Sequence, residues 1–502
     1  MRRLSPCLPL LLAIACGDST NTSASASGST STTDPTTPPT SSTTLVPTTG
    51  ASITGDTTAG SATDSMGATT TTGATGPTTT TGDLSATMAT TTTSTGPDQT
   101  TTTSSTSTGD TGDTSTSTTD DSATGNPCDG GGMVEFSYIW IANSTQGTVS
   151  KINTFTGIEE GRYYTSAIGE QPDPNTGPSR TSVNLYGDVA VANRNGGVTK
   201  FAARKVDCID KNNDGNITTS TGPNDIKPWL QDECQLWFHD TPPREFNEGP
   251  RPIAWEAGLN EMTCEVDPNP RLWFGFYDFA ANNATIRRLD GDTGMLLDEV
   301  QIPNWSGENW GTYGGAVNKD GDFWVTGWGA NGPAVRVDAD TLMVEYIANP
   351  DSFDGSFYGM ALDAKGDPWV GDCGNSSVYH YDVAAMKWEI VAVGPGCLRG
   401  LQVDKEGRAF IAHNGFPAGM MVVDTFTETV IKNNVMIPGA QTPVGVSIDV
   451  EGFVWVVDQS CECAFKIDPD TYQVVLQVNG LQQPYTYSDM TGAGLKLVTF
   501  PQ

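Results

Sequence analysis

The feature that most limits what this chain can fold into is a short motif that returns throughout its second half. Each strong copy has Asp or Asn, two residues and a Gly, then an apolar or aromatic strand, a polar loop and a further strand ending in Asp. The copies are VNLYGDVAVAN around Ala190, VNKDGDFWVTG around Trp324, LDAKGDPWVGD around Trp369, VDKEGRAFIAH around Phe410 and IDVEGFVWVVD around Trp455, with weaker ones at Trp140 (YIWIAN) and Trp273 (RLWFGF). Subtracting residue numbers puts successive centres 50, 83, 51, 45, 41 and 45 residues apart. A four-stranded propeller blade takes about 40 to 45 residues, so the one long interval holds an insertion of roughly 35. Short alternating strands separated by Asp-x-x-Gly turns are the mark of antiparallel meanders. The expectation is an all-β chain folded as a β-propeller of seven blades, with six or eight as the alternatives.

The repeat also predicts how the ring shuts. PYTYSDMTG, from Pro484 to Gly492, reads as the first half of a copy with little after it, whereas the Trp140 copy lacks a first half. A C-terminal segment completing the N-terminal blade removes an open sheet edge, which otherwise invites aggregation.

Aligned copies turn sequence positions into neighbours. The starts of the inner strands place Arg180, Gly314, Gly359, Gly400 and Gly445 in one ring, with Ser179, Tyr313, Tyr358, Arg399 and Val444 one residue earlier. The ends of the second strands place Asn143, Asn193, Phe276, Gly327, Asp372, His413 and Asp458 at the same face. His413 then lies between Asp372 and Asp458 of adjacent blades, a candidate catalytic or metal-ligating set. The plainer reading is that these groups hold connecting loops. Arg180, Tyr313, Tyr358 and Arg399 are the candidate ligand-binding residues, since charged side chains near a channel mouth need a partner or a ligand. Of the other histidines, His380 reads as a blade-surface residue in mid-strand and His239 falls in the insertion.

The strings GDFWVTGW, GDPWVGD and GFVWVVD resemble the repeats of the streptogramin (virginiamycin B) lyase-like and gluconolactonase-like propellers, related to NHL repeats, over most of residues 133–502. The resemblance implies the fold. It implies no single activity, since such repeats serve lyases, lactonases and binding scaffolds alike. The lyase family works with a His and a Glu over a bound metal, and no segment here matches its histidine motif, so no catalytic residue is carried across.

At the N-terminus, Arg2 and Arg3 precede a short apolar stretch from Leu8 to Ala15, too short to span a bilayer. Ala13-Ile14-Ala15-Cys16 resembles a bacterial lipobox, which implies cleavage before Cys16 and acylation of that cysteine. Residues 17–126 are nearly all Thr, Ser, Gly, Ala, Asp and Pro, with no Lys, Arg or aromatic residue. Such a segment cannot bury enough surface to offset the entropy of ordering, and a flexible coil of its length spans about 60 Å. The expected organisation is a signal peptide (1–15), a disordered linker (16–127) and the propeller (128–502) with an insertion at about 205–250.

Within the insertion, Asp210, Asn212, Asp214 and Asn216, with Gly215, fit the start of an EF-hand-type calcium loop. Alternate oxygen donors wrap a hard cation while the glycine allows the turn. Thr221 stands where the closing glutamate belongs, so a nearby acid such as Asp225 must substitute or the site is weak. The ten cysteines leave Cys16 and eight others once Cys7 departs with the signal, an even number suited to disulfides outside the cell. Cys208 pairs with Cys234 across the loop and Cys373 with Cys397 across adjacent blades; Cys128, Cys264, Cys461 and Cys463 receive no connectivity.

A net charge of -33 without a Lys/Arg cluster argues against nucleic acid as a partner. Contact with a membrane is expected through the lipid anchor alone, at the cell envelope as an outer-membrane or cell-surface lipoprotein. The expected role is a monomeric module, stabilised by Ca2+, that binds an extracellular small molecule, glycan or protein. A metal-dependent lyase or lactonase-type hydrolase at the channel is the alternative.

Overall fold

The computed structural model describes residues 137–500, apart from 168–176, 243–244, 261–262, 264, 306–309, 330–331 and 351–352. The readings for the signal peptide, Cys16, the linker, Cys128 and Cys264 fall outside the described residues.

The chain forms a seven-bladed β-propeller. Six sheets have four antiparallel strands each, with inner strands Pro178–Val183, Ile253–Trp255, Thr312–Val317, Phe357–Leu362, Leu398–Val403 and Pro443–Ile448. Blade 1 has three strands, Tyr138–Asn143, Thr148–Asn153 and Glu159–Tyr164, and a separate two-stranded pair joins Leu259–Asn260 to Glu265–Val266. The inner position of blade 1 is taken by the C-terminal segment, as the repeat predicts. Asn143 bridges Pro484, the Tyr485 amide donates to the Ala142 carbonyl at 3.1 Å, and the Trp140 amide donates to the Met490 carbonyl at 2.9 Å.

The repeated turn has a local cause. The leading Asp or Asn accepts amides two and four residues on, as Asp363 does from Lys365 and Asp367, and Asn318 from Asp320 and Asp322. The glycine then takes positive φ, 87° at both Gly366 and Gly452, where a Cβ would be strained.

Burial runs radially. The inner strands of blades 5, 6 and 7 are wholly buried, while the outer strand Thr429–Met436 of blade 6 is mostly exposed. Neighbouring inner strands meet at the glycine ring: a Cβ on Gly400 would lie 2.8 Å from the Gly445 Cα.

The inserted residues are 202–234, between strands Val198–Phe201 and Gln235–His239. This is narrower than the expected 205–250, because Gln235–His239 is the outer strand of blade 2 and carries His239. Cys208–Cys234 and Cys373–Cys397 are disulfide-bonded, as is Cys461–Cys463. The insertion shares a core rather than building one: Cys208 and Ile217 pack on a cluster containing Trp140, Tyr163 and Phe201.

After completing blade 1 the chain turns into a helix, Ala493–Thr499, whose Leu495, Leu497 and Val498 are buried. Half-buried Asp489 accepts the Gly492 and Leu495 amides at 2.8 and 2.9 Å. Leu495 and Val498 line a small cavity together with inner-strand residues Ala254, Ala316, Ala361 and Gln402, so the helix plugs the channel at the end where the Asp-x-x-Gly turns lie.

Candidate functional site

The opposite end of the channel gathers arginines and tyrosines. Arg180 occupies, on blade 2, the ring position that glycine holds at Gly314, Gly359, Gly400 and Gly445, so its side chain enters the axis. Its guanidinium lies 2.9 Å from the Tyr487 ring centre and 4.9 Å from that of Tyr313. It donates to the main-chain carbonyls of Tyr313 and Ser179 at 3.2 and 3.3 Å. Arg251, just before the inner strand of blade 3, donates to the carbonyls of Phe246, Asn247 and Gly249 at 2.8, 2.9 and 3.2 Å, and faces the Trp310 ring at 5.0 Å. Arg194, following Asn193 at a strand end, lies over Tyr485 at 4.4 Å and Phe246 at 4.7 Å. Burial pulls both Arg180 and Arg251 down to about 9, which still leaves them charged at neutral pH.

Around these cations the rings form a wall. Tyr313 and Tyr358 stand 5.3 Å apart, Tyr358 and Tyr487 4.7 Å, and Trp328 contacts Tyr313 at 4.8 Å. The Tyr485 hydroxyl hydrogen-bonds those of both Tyr313 and Tyr358. Arg399 lies 5.7 Å from the Tyr358 ring. The alignment thus brings Arg180, Tyr313, Tyr358 and Arg399 into one cluster. It missed Arg194, Arg251, Tyr485 and Tyr487, which enter from segments outside the strong copies; the incomplete copy at Pro484 was the one available signal for the two tyrosines.

His413, Asp372 and Asp458 stand at their strand ends as aligned, each wholly buried, but form no joint site. Asp372 accepts the amides of Ser356, Gly374 and Asn375, and Asp458 those of Gln441, Thr442, Ser460 and Cys461. The Nδ1 of His413 accepts the Gly415 amide at 3.2 Å and its Nε2 donates to Asn434 Oδ1 at 3.1 Å. Both ring nitrogens are occupied, and burial lowers the imidazole's pKa and keeps it neutral. The loop-holding alternative therefore describes these three side chains.

In the insertion, the Asp210 carboxylate accepts the Asp214 and Gly215 amides at 3.2 and 2.9 Å, and Asn212 accepts the Asp214 amide at 2.8 Å. The Asn216 amide donates to Asp214 Oδ1 at 2.7 Å. The oxygens of Asp210, Asn212 and Asp214 therefore curl around one turn, with Gly215 at φ 82°. Asp225, the acid considered for closing the loop, is held instead by Lys227 and Thr221.

Among the described residues, one group of acidic and histidine side chains is close enough to share an ion: Asp363, Asp367 and His380. Its neighbours in other blades explain it. The third-strand residue paired with the central residue of the second strand is Lys151, Lys200, Arg288, Arg336, His380 or Lys466 in six blades. In five of them it meets an acid: Lys200–Asp188 at 3.2 Å, Arg288–Asp298 at 2.6 Å, Arg336–Asp322 at 3.8 Å, His380–Asp367 at 3.7 Å and Lys466–Asp449 at 2.9 Å. Blade 6 has Val422 there, and Arg408 from the second strand takes over, paired to Asp404 at 2.7 Å. His380 is thus the blade-5 form of a basic residue repeated from blade to blade. It is stacked on Trp369 at 4.5 Å, not on the blade surface where its mid-strand position suggested.

No family model and no curated protein matches the chain. Among solved structures, AztD of Citrobacter koseri is similar at 12% identity and a TM-score of 0.44, covering 71% of this chain and 98% of that one. A functionally unknown protein from Desulfotomaculum acetoxidans is similar at 8% identity and a TM-score of 0.47, over 71% and 98%. The virginiamycin B lyase of Staphylococcus aureus is similar at 14% identity and a TM-score of 0.43, over 62% and 88%.

Proposed function

We propose that this chain is a lipid-anchored binding module of the cell envelope, which takes an extracellular ligand at the arginine–tyrosine mouth of its channel. The observation that carries the reading is the convergence of Arg180, Arg194, Arg251 and Arg399 on Tyr313, Tyr358, Tyr485 and Tyr487 at the end of the channel away from the helix. Aromatic walls with a few convergent polar groups are what a small-molecule site requires. The anchor rests on the Cys16 lipobox, and the Thr/Ser-rich linker supplies reach. The Asp210–Asn216 turn takes a calcium ion that rigidifies the insertion, with Asp210, Asn212 and Asp214 offering side-chain oxygens and Asn216 a carbonyl.

The test is a carbohydrate and small-molecule screen on the full chain, followed by intrinsic fluorescence, since the site is built of Tyr and Trp. Arg399→Ala is expected to weaken binding of each hit at least tenfold while leaving the melting temperature unchanged. Hits that bind the variant as well as the parent overturn the placement.

A further inference from the structure

Resting on that reading, we infer that the ligand carries a carboxylate, which sits among Arg180, Arg194 and Arg251. The three guanidinium groups share their surroundings: Arg180 and Arg251 lie against the same Tyr313 ring, at 4.9 and 5.9 Å, and Arg194 and Arg251 against the same Phe246 ring, at 4.7 and 6.0 Å. Arg180 and Arg251 are each 1% exposed and Arg194 is 9% exposed. Among the described residues none of the three meets a carboxylate; what surrounds them is ring faces and main-chain carbonyls.

Elsewhere this protein treats buried cations differently. Lys466 has Asp449 and Glu451 at 2.9 and 2.7 Å, and Arg288 has Glu256 and Asp298 at 3.4 and 2.6 Å. In a chain with 59 acidic residues against 26 basic ones, three mutually repelling cations without an acid are not a product of composition. Taking a charge out of water is costly unless it is paired, so the cluster is stabilised by an anion that arrives from outside.

Two further atoms point the same way. The Tyr487 hydroxyl, on a residue 2% exposed, and the Nε of Arg194 are buried with no hydrogen-bond partner among the described residues. Both are donors at this mouth. Planar guanidinium forks match a carboxylate in bidentate fashion, and the walls of Trp310, Trp328 and the tyrosines suit a ring-bearing body behind it. An acidic sugar has both parts. Long-range repulsion by the acidic surface is screened within about 8 Å at physiological salt, so it does not keep such a ligand out.

The experiment titrates the full chain by calorimetry with D-glucuronate, with D-glucose as the neutral counterpart and inorganic sulfate as a bare oxyanion. Glucuronate is expected to bind at least tenfold more tightly than glucose, and Arg194→Gln and Arg251→Met to lose at least tenfold in glucuronate affinity. Arg194→Gln is also expected to melt no lower than the parent without ligand, because the Arg194 side chain holds no main-chain carbonyl among the described residues and its loss relieves repulsion; this keeps the test clear of misfolding. Sulfate binding as tightly as glucuronate reduces the site to a bare oxyanion cradle and overturns the carboxylate assignment. Equal affinities for glucuronate and glucose, or an Arg194→Gln protein that keeps its affinity, overturn the inference. If neutral ligands from the screen still lose affinity in Arg399→Ala, the binding-module reading survives that failure; if no ligand of any charge binds the parent, both fall together.

Discussion

Replacing Gly445 by alanine tests whether the ring is shut by backbone contact. A Cβ at this position would stand 1.9 Å from the Thr486 carbonyl oxygen, 2.9 Å from the Thr486 carbonyl carbon and 3.1 Å from the Tyr487 Cα. All three atoms are main chain, so no side-chain rotation relieves the clash, and one strand must move by more than an ångström. Overpacking a filled core costs about 1 to 3 kcal/mol, and the rigidity of this neighbour puts the expectation at the upper end. For a propeller of this size, about 3 kcal/mol lowers the melting temperature by roughly 3 to 5 °C.

The displaced segment is the one that completes blade 1. Hydrogen exchange is therefore expected to quicken at the amides of Trp140 and Tyr485, which bond across that seam, before it quickens in blades 4 and 5. Gly480→Ala is the control. No heavy atom lies within 4 Å of its added Cβ, and its φ of 88° brings only local backbone strain, so the seam stays protected. An unchanged melting temperature and unchanged exchange at Trp140 and Tyr485 in Gly445→Ala would refute the seam as described.

Two further outcomes are expected. Burial alone pushes the His380 pKa down, but the Asp367 carboxylate 3.7 Å away, with Glu428 and Asp363 nearby, outweighs this and leaves it raised above the ordinary imidazole value. Because the folded value is the higher one, the stabilisation is complete below the unfolded pKa and is lost as pH rises through the folded one. Comparing melting from about pH 6 to pH 8, the parent should lose stability relative to His380→Lys, whose ammonium stays charged across that window; parallel curves would count against the repeated cation. Asp214→Ala should lower the melting temperature more in calcium than in chelator, because it removes an ion ligand as well as the acceptor of the Asn216 amide, and equal shifts in both conditions would dismiss the calcium loop.

How much was legible from the residues differs between fold and site. Asn184, Asn318, Asp363, Asp404 and Asp449 each head a turn that fixes strand register locally, so the blades, the glycine ring and the proximity of Tyr313 to Tyr358 follow from alignment. The mouth is harder, because Arg251 precedes the weakest copy and Tyr487 meets Arg180 across the whole length of the ring. The stacked cations were legible and passed over: Lys151, Arg336, His380 and Lys466 follow Trp140, Trp324, Trp369 and Trp455 by 11, 12, 11 and 11 residues, by subtraction. The roles proposed for Asp372, His413 and Asp458 ran the other way. Alignment places side chains at a strand end, but it does not say whether the adjoining loop turns back to hydrogen-bond them, and here it does.

The pairing of residues 484–490 with residues 140–143 also has a consequence for biosynthesis. The segment that lies against the first blade leaves the ribosome after every other blade, so six complete blades must wait beside an unpaired edge. Contacts so distant in sequence form slowly, and a waiting strand edge is where another chain can add itself. Nascent protein is therefore most at risk of association in the interval between emergence of Val474–Asn479, the last strand of blade 7, and arrival of Tyr485, and a holding chaperone would act in that interval.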